Sequence, residues 1–113
     1  MSSIRFLVVD DFVGWRSFVS SLIQKECDWQ IVGEASGGLE AVQKAEELNP
    51  DLILLDIGLP ELNGIEAAPQ IRKLAPNSKI LFLSELHDPD IVREACEQVR
   101  AVTSSSRMPE ANC

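Results

Sequence analysis

No apolar run in this 113-residue sequence approaches the roughly 20 residues that a membrane-crossing helix needs. The opening Met-Ser-Ser-Ile-Arg lacks the flanks of a secretory signal and leads straight into a strand-like segment. Cysteine is scarce: Cys27, Cys96 and Cys113 are odd in number and have no metal-ligand spacing. That pattern argues against a disulfide framework and for a reducing, cytoplasmic setting. The single histidine, His87, carries no metal geometry alone and reads as an exposed loop residue. Positive charge is also short. A net charge of −8 disfavours a direct grip on nucleic acid or anionic lipid, while leaving open a DNA-binding partner or separate domain.

What is present alternates between strand and helix. Arg5–Val9 is a short run apolar at both parities, as expected of a strand buried on both faces, and it ends in Asp10-Asp11. Trp15, Phe18, Val19 and Leu22 recur at helical spacing up to about Lys25. Trp29–Ala35 reads as a second strand, followed by a helix with Leu39, Val42 and Ala45 on one face that closes at Asn49-Pro50. Leu52–Leu55 is the most apolar stretch and ends in Asp56; a loop with Gly58 and Pro60 follows. Asn63 with Glu66 three residues on forms a capping-box pattern, and Ile65, Ala68, Ile71 and Ala75 mark the inner face of the next helix. Pro69 inside it removes one backbone donor and predicts a kink. Lys79–Leu83 is a fourth strand ending in Ser84, and Asp88-Pro89 starts a helix through Ile91, Val92 and Ala95. From about Cys96 neither periodicity is clean. The order βαβαβαβα predicts one domain, with a parallel sheet covered by helices on both faces.

In such a sheet ligands sit beyond the carboxyl ends of the strands. Asp10 and Asp11, Asp56 and Ser84 fall there from three separate strands. An acidic pair after a strand is by itself common turn chemistry; it is the joint placement that points to a site. Close carboxylates repel by roughly 4 kcal/mol per pair at an effective dielectric near 20, and a hard cation such as Mg²⁺ removes that cost. Gly58 would let its carbonyl approach the metal. A carboxylate is also a nucleophile toward phosphorus, provided the incoming charge is neutralised. The Ser84 hydroxyl and the backbone N–H groups near Gly58 and Glu85 are candidate donors.

These residues carry a resemblance. Val8-Val9-Asp10-Asp11, the stretch Asp51–Gly64 around Asp56, and Ile80–Ser84 look like the receiver domain of two-component response regulators, over roughly residues 4 to 95. Trp29–Ala35 and Ser84–Asp90 are similar to the NarL/LuxR-type branch, whose members usually carry a C-terminal helix-turn-helix. The resemblance implies a flavodoxin-like α/β fold, a doubly wound sheet of order 2-1-3-4-5. It implies a phospho-acceptor at Asp56 served by a sensor histidine kinase. Asp11, Asp56 and the Gly58 carbonyl would bind Mg²⁺ directly, Asp10 largely through water, and Ser84 would be the switch hydroxyl beside the Glu85 N–H. Such a module is not an enzyme beyond its own phosphorylation and dephosphorylation, and it meets DNA only through another domain. The competing readings are a Mg²⁺-dependent aspartate-nucleophile phosphohydrolase and a dimerising structural fragment. The hydrolase generally needs a second aspartate two residues after the nucleophile, where this chain has Gly58.

The sequence departs from that family at its end. Receivers normally have a fifth strand with an aromatic and, three residues later, a lysine. Counted from Ser84 those positions are Thr103 and Ser106, there is no lysine after Lys79, and the chain has no tyrosine. Residues 96–113 are therefore expected to be an atypical tail in place of the fifth strand and helix, after a receiver unit of residues 1–95. Codons permitted for Ala95–Cys113 can be chosen so that another frame spells L-R-A-G-A-R-G-Y-V-V-K-S-D-A-G-S-E-L. That string looks like the family's fifth strand and its approach, with Y and K at the expected positions, and implies a frameshift near Cys96. An intact frame matching Glu97–Cys113 in close relatives would exclude it. The expected consequences are surviving Mg²⁺ binding, weak phosphorylation, lost output coupling, and an exposed sheet edge that invites homodimerisation.

Overall fold

The computed structural model describes residues 4–59, 61–83 and 89–104. Four strands, β1 (Ile4–Val9), β2 (Trp29–Ala35), β3 (Leu52–Asp56) and β4 (Lys79–Leu83), alternate with four helices. The helices are α1 (Val13–Gln24), α2 (Gly38–Leu48), α3 (Gly64–Leu74) and α4 (Pro89–Ser104). The sheet is parallel with order β2-β1-β3-β4, and the described residues contain no fifth strand. The flavodoxin-like order expected from the sequence therefore holds as far as β4.

The two-sided apolar strands sort their side chains by parity. Leu7, Val9, Ile53 and Leu55 face one core, with Ala41 and Ala45 of α2 and Ala67, Ala68 and Ile71 of α3. Phe6, Val8 and Leu54 face the other, with Trp15, Val19 and Ile23 of α1 and Val92 and Cys96 of α4. Right-handed crossovers explain the division: β2 lies on one side of β1, β3 and β4 on the other, so α1 falls on one face and α2 and α3 on the opposite one.

Several features lock the elements. Arg5 of β1 donates through both terminal nitrogens to the carbonyls of Leu48 and Asn49, each at 2.8 Å, satisfying the end of α2. Asn49 takes the left-handed conformation there, with φ 47°. Gly38 opens α2 so close to the Leu62 carbonyl that no side chain fits between them. At α3 the capping box is complete: the Asn63 side chain accepts from the Glu66 N–H, and Glu66 Oε1 accepts from the Asn63 N–H. Asn63→Ala should cost about 1 kcal/mol, read as a lower urea midpoint at unchanged slope; an unchanged midpoint would show the cap to be redundant.

Two sequence-based expectations are corrected. Leu39 is 57% exposed and Ile65 56% exposed; Ala45, Ala68, Ile71 and Ala75 are buried as expected, joined on the inner faces by Gly38, Ala41, Gly64 and Ala67. The glycines bring each helix start against backbone, which turns the adjacent larger residue outward. The periodicity does not lapse at Cys96: α4 runs on to Ser104, with Val92, Cys96 and Val99 forming a stripe toward α1. Cys27 is disulfide-bonded and Cys96 is a buried free thiol. Pro69 lies inside a continuous α3 on its exposed side, where the carbonyl left without a donor can meet water.

Candidate functional site

The sheet register builds the site. Val9 pairs with Leu55, so the next residues, Asp10 and Asp56, leave two adjacent central strands side by side at their carboxyl ends. Both are held in the fold: Asp10 is 3% exposed and Asp56 1%, whereas Asp11 is exposed at the rim. One carboxylate oxygen from each of the three lies within 4.8 Å of the others. Asp10 is fixed by its Oδ1, which accepts from the Phe12 N–H at 2.9 Å, and by its own N–H, which donates to the Ala35 carbonyl at 3.0 Å. Asp56 Oδ1 accepts from the Gly58 N–H at 3.2 Å. The loop after β3 is kept close: Ile57 N–H donates to Leu83 at 3.3 Å, and Gly64 packs against the Asp56 carbonyl with no room for a side chain.

One residue at the site was not singled out from the sequence. Arg16 donates from Nη1 to the Asp10 carbonyl at 2.6 Å and pairs through Nε with Glu34 at 2.8 Å. It ties α1 to the ends of β1 and β2 and brings one positive charge near the acidic cluster. Its only sequence signal is its place in the second turn of a helix that begins just after Asp10-Asp11. At the rim, the Glu40 carboxyl is held below its ordinary range, first by the Ser36 backbone N–H and also by the Ser36 hydroxyl and Lys44.

The chemistry of the donor set fits a hard divalent cation. Three carboxylate oxygens suit Mg²⁺, which binds few protein oxygens and keeps several waters. Ser84 and Glu85, the proposed phosphoryl contacts, and His87 lie outside the described residues.

The response regulator receiver domain family model matches residues 6–103. The chain belongs to the response regulator receiver family. It is 42% identical over 91 residues to the chemotaxis protein CheY of Thermotoga maritima, covering 80% of this chain and 75% of that protein. It is 35% identical to the response regulator protein VraR of Staphylococcus saprophyticus, over 96% of this chain but 54% of that protein. Among solved structures, the response regulator domain of Thermotoga maritima CheB superposes with a TM-score of 0.71 at 42% identity, covering 87% of this chain and 72% of that one. The signal receiver domain of the putative response regulator NarL from Mycobacterium tuberculosis gives 0.74 at 26% identity, over 95% and 100%. Receiver domains are phospho-accepting modules of two-component signalling, generally without an enzymatic activity of their own, and bind Mg²⁺ through acidic residues. This receiver domain brings three such residues together. No helix among the described residues is long and apolar enough to cross a membrane.

Proposed function

We propose that this receiver domain takes a phosphoryl group onto Asp56 from a sensor histidine kinase in the cytoplasm, as part of a NarL/LuxR-type regulator. Mg²⁺ would be held by Asp10, Asp11, Asp56 and the Gly58 carbonyl. The supporting observation is the convergence of three carboxylate oxygens within 4.8 Å at the ends of β1 and β3. In the reaction an Asp56 carboxylate oxygen attacks phosphorus, the new O–P bond forms, and the bond to the donor breaks with its electron pair leaving on the donor. The metal supplies charge neutralisation for the transferring group. Asp10 and Asp11 orient it, and the Ser84 hydroxyl and the Glu85 N–H are proposed as donors to the phosphoryl oxygens.

No lysine follows Lys79, so no lysine ammonium from the last part of the chain offsets the phosphoryl charge opposite the metal. Losing one such donor typically costs on the order of 10²-fold in rate. Incubation with acetyl phosphate and Mg²⁺ should label Asp56 about 10²-fold more slowly than the Thermotoga maritima CheY relative is labelled, and chelation should abolish it. Equal rates would refute the impairment, and label mapped to another residue would refute the site. A generic phosphomonoester should not be turned over, because Gly58 stands where a hydrolase places its acid/base aspartate; sustained release of phosphate would overturn the non-enzymatic reading.

A further inference from the structure

The Asp10 carbonyl belongs to the peptide that joins Asp10 to Asp11, and a peptide unit is planar. Whatever fixes that carbonyl therefore sets the direction in which Asp11 leaves the chain. The two carboxylates depend on it unequally. Asp10 is buried and its Oδ1 accepts from the Phe12 N–H. Asp11 is exposed, and its side chain has no hydrogen-bond partner among the described residues. Yet Asp11 supplies one of the three oxygens that lie within 4.8 Å of one another.

Arg16 grips that peptide. α1 begins without a side-chain cap at Phe12. The Arg16 backbone N–H donates to the Phe12 carbonyl at 2.9 Å, and its Nη1 donates to the Asp10 carbonyl at 2.6 Å, so one residue secures both ends of the acidic turn. The Arg16 side chain is only 16% exposed and is aimed from its other side by Glu34, whose Oε1 accepts from Nε at 2.8 Å. Glu34 is itself well placed to do this. It pairs in register with Val8 of β1, and its carbonyl accepts from Lys44 Nζ at 2.6 Å. A planar guanidinium held by two partners keeps a fixed direction, which a single ammonium on a flexible stem does not.

We propose that Arg16 is a positioning residue for the metal site. It acts through the Asp10–Asp11 peptide and not as a counter-charge to the cluster, and Glu34 sets its direction. The inference rests on the Mg²⁺ reading above. Hydrogen-bond partners behind metal-binding groups typically carry about 10- to 100-fold in metal affinity.

Mg²⁺ titration of the full chain by calorimetry tests this, with melting in metal-free buffer beside it. Arg16→Gln should raise the dissociation constant about tenfold or more. Arg16→Lys keeps the charge but serves only one of the two partners, so it should also bind more weakly; it stands in should the glutamine variant fail to fold. Glu34→Ala should weaken binding on its own and add nothing to Arg16→Gln, because both act through one contact. A lower melting temperature at unchanged affinity would reduce Arg16 to a structural tie. Tighter binding by Arg16→Gln, with Arg16→Lys unchanged, would make it a counter-charge. Either result overturns the proposal. A wild-type chain that binds no Mg²⁺ would overturn the metal reading and this inference together, whereas wild-type binding with unaltered variants would overturn the inference alone.

Discussion

Asp56→Asn should abolish acyl phosphate formation and, in Mg²⁺-free buffer, raise the melting temperature. The two effects have one cause. Asp56 is buried beside buried Asp10, with Asp11 at the rim, and their oxygens lie within 4.8 Å. At that separation and an effective dielectric near 20, each like-charge pair costs about 3 kcal/mol before screening. Solvent and ions at the exposed Asp11 side reduce the recoverable part to about 1 kcal/mol. For a domain of this size that corresponds to roughly 4–8 °C. Asparagine keeps an oxygen for the Gly58 N–H, so the loop contact survives. It has no anionic oxygen to attack phosphorus and is a poorer ligand for a hard cation. The wild-type domain should gain about 2.7 kcal/mol when Mg²⁺ is a hundredfold above its dissociation constant, and the variant should lose most of that gain. Thermal melts with and without Mg²⁺, beside acetyl phosphate labelling, read both halves. A variant less stable than wild type without metal would show that the cluster is not repulsive.

Leu55→Ala should be the most damaging of the conservative core changes. Leu55 is fully buried near the carboxyl end of β3, on the face shared with α2 and α3, and immediately precedes Asp56. Removing it leaves a cavity between sheet and helices, and such truncations cost about 2–5 kcal/mol. A domain of this size typically has about 5–15 kcal/mol in total, so the variant should be partly unfolded at 37 °C. Urea denaturation followed by tryptophan fluorescence measures it through Trp15 and Trp29, which lie in the other core and report global loss. A midpoint shift worth less than about 1 kcal/mol would mean that the two helices collapse onto the gap.

Much of the site was legible because strand ends are legible. A two-sided apolar run followed by an acidic residue places that residue at the carboxyl edge of a parallel sheet, whichever neighbours the strand acquires. Asp10, Asp11 and Asp56 needed no further information to be grouped. The capping box at Asn63 was equally local, being a matter of spacing within one turn. Leu39 and Ile65 were misplaced because a helical pattern with apolar residues on a wide arc does not say which flank faces inward. The close approaches at Gly38 and Gly64 decided that, and a close approach is a property of two segments at once. Arg16 was overlooked for a similar reason, since its partners Asp10 and Glu34 come from two strands.

The family relationship narrows the chemistry to phospho-acceptance, and the register of β1 against β3 sets Asp10 and Asp56 side by side at the carboxyl ends of their strands. The end of the chain divides differently. Its sequence alone showed that the chain has no tyrosine and no lysine after Lys79. Only the tertiary structure showed that α4 continues to Ser104 and lies with α1, and that β4 ends the sheet among the described residues. The amphipathic stripe Val92, Cys96 and Val99 determines that a helix forms and which side of it is apolar. The face of the sheet it covers is set by where uncovered apolar surface remains, which depends on every other element.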